Sequence, residues 1–437
     1  MKDFLKNSLF NCLLPWAFIC FRYNQCHGYF AESYEVLFAF LGLIWLVNIF
    51  LSFIKLPINF IVSLWVVLIL PNLSGSLIKD IIYKIFFVLG CTSVIKKSST
   101  NPIKILLSII IGFNLFQIVQ RDYCARKTAN KLIKNVSINK NFSCNENIYW
   151  IVCDAYTSLD GLKDYYHFDN TKFYQDLNDL GFLTPDGQVP YKKVNQFPTL
   201  KALNFYTNFN HFDVTKENSL TLHYGLKYNI FFNTLVAKGY SLWATYSRAP
   251  FLYKLQNVSS LGNKGVSVAL QFFYHCFNHN KFLAKIVSKK LNEQLYIHQK
   301  DVFKFLRYNF KTTNKCFYYI HIDSPHAPFV RGQNNEFVND QKSVVWGENE
   351  VGTNAYKFKD YRKGYIKQLQ GLNKKVLELI KLICQKDPHG VIILQGDHGT
   401  FTTDDLREHQ SFLFAIKTNI AYKYLQTEQF FKQFIYE

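Results

Sequence analysis

Two short apolar runs, far apart in the chain, each end in side chains that bind metal ions. Residues 147–154 read Asn-Ile-Tyr-Trp-Ile-Val-Cys-Asp, and residues 391–399 read Val-Ile-Ile-Leu-Gln-Gly-Asp-His-Gly. Runs that are this short, apolar and β-branched predict strands buried on both faces of a parallel sheet. In open α/β sheets, ligands bind outside the carboxyl ends of the strands. Asp154, Asp397 and His398 are therefore predicted to share one metal site.

The chain after about residue 146 alternates predicted strands with predicted helices. This alternation indicates an α/β fold with a largely parallel sheet. The predicted strands are residues 147–154, 240–246, 315–322, 391–396 and 411–417. The predicted helices include residues 171–181, 219–238, 286–309 and 359–386.

The N-terminal part consists mostly of apolar runs, and a transmembrane helix needs about 20 such residues. The five candidate spans are residues 8–21, 36–54, 57–73, 81–95 and 104–120. The first and fourth are short, and an interfacial position is the alternative for both. Lysines near the ends of the runs predict which loops lie inside, and five spans then place everything after about residue 121 outside. We expect a membrane domain (1–120), a linker or interfacial segment (121–145) and an extracytoplasmic catalytic domain (146–437).

The formal net charge of +19 predicts an anionic partner. Because the chain carries apolar spans, anionic lipid or glycan phosphate fits this charge better than nucleic acid does. An outward-facing domain seldom meets nucleic acid, so no nucleic-acid partner is expected. Compositional bias toward lysine is an equally good explanation for part of the excess.

The tetrapeptide Gly396–Gly399 carries the adjacent Asp397 and His398. Neighbouring side chains of a regular strand point to opposite faces, so a turn is needed to aim both at one ion, and the flanking glycines favour that turn. A carboxylate beside an imidazole suits Zn²⁺ or Mn²⁺. The alternative is a polar turn with a surface histidine. His409 is a further possible ligand, or equally a surface histidine.

Thr199 follows Pro198 and opens a helix-like run. At or near a helix N-cap it would lie where free backbone N–H groups favour a phosphate. A threonine hydroxyl becomes a nucleophile only when a base or metal lowers its pKa. A simple capping role is the alternative for this residue.

His326 lies in the segment His321-Ile-Asp-Ser-Pro-His-Ala-Pro-Phe329, after a predicted strand. The two prolines hold His326 on a rigid loop, where it could hydrogen-bond a phosphate oxygen or protonate a leaving group. His321 and Asp323 are expected to support it, with His321 near the substrate. A structural histidine in a proline-rich turn is the alternative.

Taken in order, these elements resemble the alkaline phosphatase and sulfatase superfamily, and within it the membrane-anchored branch of lipoteichoic acid synthase and the phosphoethanolamine transferases. Residues 148–154, 324–329 and 391–399 carry the resemblance, and Thr199 joins them by its spacing after Asp154. The resemblance implies an alkaline-phosphatase-like α/β/α sandwich that follows the N-terminal helical transmembrane region.

The same resemblance implies roles for single residues. Asp154, Thr199, Asp397 and His398 would bind the metal. Thr199 would also be the metal-activated nucleophile that forms a phospho-threonine intermediate. His326 would contact the transferred phosphoryl group or the leaving group.

The activity so implied moves a phosphoethanolamine or phosphoglycerol group from a phospholipid donor to a surface glycan or lipid acceptor. The protein would be a multi-pass protein of the bacterial inner membrane whose catalytic domain faces the periplasm. A phosphatase- or sulfatase-like hydrolase with the same metal site is the first alternative. An inactive membrane protein that serves in assembly is the second, because the chain ends soon after its last predicted strand.

Two departures from the family pattern, and the choice among the nearby hydroxyls, refine this expectation. Position 154 is Asp, where the glycan and lipid transferases often carry Glu. No Cys/Ser-x-Pro-x-Arg pattern occurs at the predicted nucleophile, which argues against a formylglycine sulfatase. Thr157 and Ser158 are rejected as nucleophiles, because they lie too close to Asp154 in sequence to aim back at an ion that Asp154 holds.

Overall fold

The structure is a computed structural model, and it describes part of the chain in detail. The described residues are 2–25, 34–54, 65, 101–133, 145–184, 224, 230–245, 258–261, 265–278, 280–309, 315–339, 361–400, 402, 407–408 and 411–418. The described helices are α1 (Lys2–Gln25), α2 (Tyr34–Phe53), α3 (Asn101–Ile133), α4 (Leu159–Tyr166), α5 (Thr171–Asp179), α6 (Ile230–Ala237), α7 (Val268–Phe277), α8 (Lys281–Asn309) and α9 (Tyr361–Lys386). The described strands are β1 (Ile148–Cys153), β2 (Ser241–Ala244), β3 (Val258–Ser260), β4 (Cys316–Ile322), β5 (Val391–Gly396) and β6 (Phe414–Lys417).

The chain divides into two compact units. The first contains α1, α2 and most of α3, together with α7 and the beginning of α8. Among the described helices, α2 and α3 are long and apolar enough to cross a membrane. They coincide with the predicted spans 36–54 and 104–120, and the predicted span 8–21 lies within α1. The predicted span 81–95 lies outside the described residues, as does 57–73 apart from Trp65, so the number of spans stays a prediction.

The helix α3 extends well past its apolar part and ends at Ile133. Residues 121–133 contain neither glycine nor proline, so nothing in the sequence interrupts the helix. The first part of the predicted linker is therefore helical, and residues 134–144 lie outside the described residues.

The second unit is built around one six-stranded sheet with the order β3-β2-β4-β1-β5-β6. Every neighbouring pair is parallel except β5 and β6, which are antiparallel. Cys153 at the end of β1 is level with Ile322 of β4 and with Gly396 of β5. The residues that follow these three, all aspartates, therefore leave neighbouring strands at one edge of the sheet.

The two faces of the sheet are both covered. On one face, Tyr149, Ile151 and Cys153 join a buried core with side chains of α4, α5, α8 and α9. On the other, Trp150 contacts Phe317 and Tyr319, and α6 contributes a ring that packs on Phe317. Since β1 and β5 are buried along their whole length, their continuous apolar sequences follow from burial on both faces. The predicted α/β fold with a largely parallel sheet is confirmed.

The predicted strands coincide with β1, β2, β4, β5 and β6, and the predicted helices 171–181, 286–309 and 359–386 coincide with α5, α8 and α9, with boundaries shifted by a few residues. The predicted helix 219–238 contains α6, and its part before Ile230 lies outside the described residues apart from Tyr224. The short elements α4, β3 and α7 are absent from the sequence prediction. Each is only three to ten residues long, too short for a clear periodic signal.

Candidate metal-binding active site

The end of β5 brings an aspartate and a histidine onto the end of β1. The side chain of His398 places Nε2 3.6 Å from Oδ1 of Asp154 and 3.8 Å from Oδ2 of Asp397. Gly396 makes this approach possible, because a Cβ there would lie 2.4 Å from the backbone oxygen of Tyr156. The structure thus brings together the three residues that the two strand ends predicted as metal ligands.

Backbone amides hold Asp397 in a fixed orientation. Its Oδ1 accepts hydrogen bonds from the N–H of Ala155 at 2.8 Å and from that of His398 at 2.9 Å. Ala155, at the turn after β1, has a φ of 57°, in the left-handed region. Burial and the nearby Asp154 raise the pKa of Asp397, against the opposing effects of His398 and His321. A buried carboxylate with a raised pKa is stabilised by a neighbouring cation.

His321 of β4 is a further candidate ligand. Its Nε2 is buried, lies 3.9 Å from Oδ2 of Asp397 and has no hydrogen-bond partner among the described residues. Thr245 holds the backbone of His321. The Thr245 hydroxyl accepts from the N–H of His321 at 2.7 Å and donates to the backbone oxygen of His321 at 2.9 Å. The sequence predicted a supporting position near the substrate. The structure places this side chain beside the carboxylate of Asp397, and its contact with a substrate stays a prediction.

The donor atoms form two overlapping groups. One contains Asp154, Asp397 and His398, the other Asp154, His321 and Asp323, and within each group the donor atoms lie within 4.8 Å of one another. Two ligands about 2.1 Å from one tetrahedral ion are separated by about 3.4 Å, close to the distances of His398 from the two carboxylates. Nε2 of His321, which is buried without a hydrogen-bond partner among the described residues, and the clustered carboxylates fit a divalent cation. The mixed nitrogen and oxygen donors suit Zn²⁺ or Mn²⁺.

The tautomers of two site histidines follow from their contacts. Nδ1 of His398 lies 2.5 Å from the oxygen of Gly399, and Nδ1 of His326 lies 2.5 Å from that of Ala327. Because a carbonyl only accepts, Nδ1 donates in both contacts. In the neutral ring Nε2 then carries the lone pair, which suits His398 as a metal ligand.

His326 lies beside the carboxylate and histidine cluster. It is buried, and its ring meets that of His398 edge to face with centroids 6.2 Å apart. The backbone N–H of His326 donates to the backbone oxygen of Asp154 at 3.0 Å. This hydrogen bond connects the loop after β4 to the end of β1. His326 therefore lies beside the cluster, and its contact with a substrate stays a prediction.

Gln368 of α9 braces the loop that carries His326. Its Nε2 donates to the backbone oxygens of His326 at 2.7 Å and Pro325 at 3.2 Å. Its Oε1 accepts from the N–H groups of Val330 at 2.8 Å and Arg331 at 3.0 Å. One fully buried side-chain amide thus uses both donors and both acceptor positions to fix the shape of this loop.

Gln299 of α8 braces the same loop from a second helix. Its Nε2 donates to the oxygen of Asp323 at 3.1 Å, and its Oε1 accepts from the hydroxyl of Ser324 at 3.1 Å and from Nη2 of Arg331 at 3.0 Å. Arg331 is buried, which lowers its pKa to about 10, and its guanidinium lies 5.7 Å from the ring centroid of Tyr296. Sequence reasoning missed both glutamines, because nothing in a helical pattern separates a bracing glutamine from a solvated one.

Glu408 fixes the chain that follows His398. Its Oε1 accepts from the hydroxyl of Thr400 at 2.7 Å and from the N–H of Thr402 at 2.8 Å, and Glu408 is fully buried. This residue too was missed from the sequence. Its neighbour His409 lies outside the described residues, so its ligand role stays a prediction.

The predicted nucleophile Thr199 also lies outside the described residues, and its role stays a prediction. The two rejected hydroxyls have structural partners. Thr157 donates to the oxygen of Ser411 at 2.6 Å, and Ser158 caps α4 by accepting from the N–H of Gly161 at 3.1 Å. Their hydroxyls therefore serve the turn after β1.

The comparisons with known proteins returned solved structures only. No family model and no curated protein matches the sequence. The C-terminal periplasmic domain of EptC from Escherichia coli, in complex with Zn, is 12% identical, with 64% of this chain and 74% of that one covered and a TM-score of 0.36. The lipooligosaccharide phosphoethanolamine transferase A from Neisseria meningitidis, an integral membrane protein, is 11% identical, with 94% and 87% covered and a TM-score of 0.36.

The lipoteichoic acid synthase LtaP from Listeria monocytogenes is 12% identical, with 68% and 72% covered and a TM-score of 0.34. The fold assignment depends on the strand order of this chain, and its proposed function depends on the residues of its own candidate metal site.

Proposed function

We propose that this protein is a membrane-anchored, metal-dependent phosphotransferase. It moves a phosphoethanolamine or phosphoglycerol group from a phospholipid to a cell-surface glycan or lipid. The observation that carries the proposal is the meeting of Asp154, Asp397, His398 and His321 at the ends of three adjacent parallel strands. In open α/β sheets such strand ends are the binding edge.

Asp154, Asp397 and His398 would hold the divalent cation, with His321 as a further ligand. A bound cation would neutralise phosphate oxygens and lower the pKa of a hydroxyl beside it. The protein supplies the fixed geometry for this chemistry. The amides of Ala155 and His398 hold Oδ1 of Asp397, so Oδ2 faces the imidazoles.

Thr199 is the proposed nucleophile. Its oxygen would bond to the phosphorus of the donor as the bond from phosphorus to the lipid oxygen breaks. The Nδ1 of His326 is committed to Ala327, so its Nε2 lone pair would take the hydroxyl proton of Thr199 and pass it to that lipid oxygen. The acceptor hydroxyl would then attack the phospho-threonine from the side that the lipid vacated. The bond from phosphorus to the Thr199 oxygen would break, and the acceptor's proton would pass through Nε2 of His326 to that oxygen. In-line displacement of this kind depends mainly on positioning and charge neutralisation.

The N-terminal unit supports a lipid donor. Its helices α2 and α3 are long and apolar enough to cross a membrane, and the net charge of +19 suits an anionic surface. The proposal includes the multi-pass position in a bacterial inner membrane with the site facing the periplasm. It includes Zn²⁺ or Mn²⁺ as the cofactor.

A transfer assay with the full-length protein in membranes tests this function. Phospholipid labelled in its headgroup is the donor, and Thr199→Ala and Thr199→Ser are compared with the unmodified protein. We expect Thr199→Ala to abolish both transfer and labelling of the protein, while Thr199→Ser, which keeps a hydroxyl, retains part of both. Undiminished transfer by Thr199→Ala would exclude the proposed nucleophile.

The products of the same assay separate the alternatives. Label on a glycan or lipid acceptor indicates transfer. Label released as a free phosphate ester indicates a hydrolase, in which water takes the place of the acceptor at the same site. A membrane protein that serves only in assembly would give neither product.

A further inference from the structure

The helix α7 belongs with the N-terminal helices, although it lies more than a hundred residues after α3 in the chain. Its Phe272 packs edge to face on Tyr23 of α1, at 5.5 Å between centroids, and on Phe40 of α2, at 5.1 Å. Arg22 of α1 donates to the backbone oxygen of His275. The sequence-distant segment Val268–Lys290, here named the anchor segment, is thus part of the same compact unit as α1 and α2.

The contacts of α7 lie near one end of the α1–α2 pair. The two helices run antiparallel, since Tyr23 lies against Tyr34 and Trp16 donates to the oxygen of Leu41. Phe40 is six residues from the start of α2, which at 1.5 Å per residue is about 9 Å. The basic N-terminus predicts that this end of the pair faces outside. A helix at such a depth lies where interfacial helices bury their apolar face, about 5–10 Å into the headgroup boundary.

The first turns of α8 continue from α7 with an exposed apolar and basic surface. Phe282 is 66% exposed and Ile286 is 54% exposed. Lys285 and Lys289 are exposed on the same stretch of helix, where residues three and four apart share a face. Large exposed apolar side chains between lysines are the pattern of a helix at a lipid surface.

The charge of this region is one-sided. No aspartate or glutamate occurs between Glu217 and Glu293, a stretch that contains the whole anchor segment. Lysine is the only fully charged side chain within the anchor segment itself. An exposed surface of this kind is complementary to anionic phospholipid headgroups.

We propose that the anchor segment is a second membrane anchor, with which α7 and the first ten residues of α8 bind the outer headgroup layer of an anionic bilayer. Phe282 and Ile286 enter the acyl boundary, and the lysines contact lipid phosphates. The partner is the lipid surface itself. This proposal goes beyond phosphoryl transfer and does not depend on it.

The test is photo-crosslinking of the full-length protein in vesicles of phosphatidylcholine that contain a quarter phosphatidylglycerol. A photoreactive amino acid replaces Phe282, and lipid adducts are identified by mass spectrometry. Phe50 of α2, which is 63% exposed, is the lipid-facing reference. Tyr308, 70% exposed and about 39 Å farther along α8 at 1.5 Å per residue, is the reference away from the proposed surface.

We expect lipid adducts at positions 282 and 50, and few at 308. Equal yields at 282 and 308 would overturn the proposal, because they would show unspecific labelling of an exposed helix. A protein–protein adduct at 282 in place of a lipid adduct would overturn it too, since it would identify a second protein chain as the partner.

Charge reversal tests the role of the lysines. In the double variant Lys285→Glu with Lys289→Glu, we expect the yield of lipid adducts at position 282 in anionic vesicles to fall by at least several-fold. Each lysine changes the partition of a segment onto an anionic membrane by roughly five-fold. Lys300→Glu with Lys304→Glu repeats the same spacing on the same helix and should leave the yield unchanged. The yield of lipid adducts at position 50, measured in the same charge-reversal variants, checks that each variant is folded. An unchanged yield in the first pair with a normal reference would contradict the role of the lysines.

Discussion

Replacement of Gln368 by leucine tests how the histidine loop is held. Leucine has a similar size but no polar atoms, so the oxygens of Pro325 and His326 and the N–H groups of Val330 and Arg331 lose their partner. A buried polar group without a partner costs about 1–3 kcal/mol. At the low end of this range, these groups together cost about 4 kcal/mol, or on the order of a thousand-fold in the local opening equilibrium.

Amide hydrogen exchange of the full-length protein measures this opening. We expect the protection of the Val330 and Arg331 amides to fall by roughly three orders of magnitude in Gln368→Leu. Gln370→Leu, two residues along the same helix at a partly exposed position, is the matched control. It should change the protection of the Val330 and Arg331 amides little. A loss of less than about tenfold in Gln368→Leu would refute the reasoning, because it would show that the loop keeps its shape without the amide.

Three further predictions concern the site and the sheet. Gly396→Ala places a Cβ 2.4 Å from the oxygen of Tyr156, so we expect the turn to shift, metal affinity to fall and stability to drop by about 1–3 kcal/mol, as measured by metal titration and thermal unfolding. In the metal-free protein, burial holds the pKa of Asp397 above its ordinary value of 3.8, so the folded state binds more protons than the unfolded state. Stability should then fall as pH rises from that ordinary value through the raised one, and Asp397→Asn should remove this part of the pH dependence of the unfolding midpoint. Ile393→Ala in the fully buried β5 should cost about 2–5 kcal/mol in chemical unfolding, and a loss below about 1 kcal/mol would contradict the assigned core position.

The central strands and their ligand-bearing ends could be predicted because the signal is local. A fully buried strand must be apolar along its whole length, and the chain leaves it at a polar residue, as at Asp154 and Asp397. The rule that ligands bind outside the carboxyl ends of parallel strands then predicts that both aspartates lie at one edge of the sheet.

The sequence alone does not predict that the side chain of His321 lies beside Asp397. This position depends on the register of β4 against β1, which places the strand ends level. One signal was available, because residues two apart on a strand share a face, so His321 and Asp323 point the same way.

The braces at Gln299, Gln368 and Glu408 depend on contacts between elements that are distant in sequence. Nothing local distinguishes them from ordinary polar side chains. The same holds for α7, which has ten residues and gains its place by packing against α1 and α2.

Metal content is the most direct test of the central claim, that the ends of β1 and β5 form a divalent metal site. The full-length protein is purified with Zn²⁺ and Mn²⁺ offered separately, and bound metal is counted by mass spectrometry together with that of Asp397→Asn and of Asp164→Asn, an exposed control on α4. Asparagine keeps the oxygen that accepts from Ala155 and His398, so the fold should persist. We predict stoichiometric metal in the unmodified protein and the control and a loss in Asp397→Asn. Equal metal in all three proteins, or none in the unmodified protein, would contradict the account.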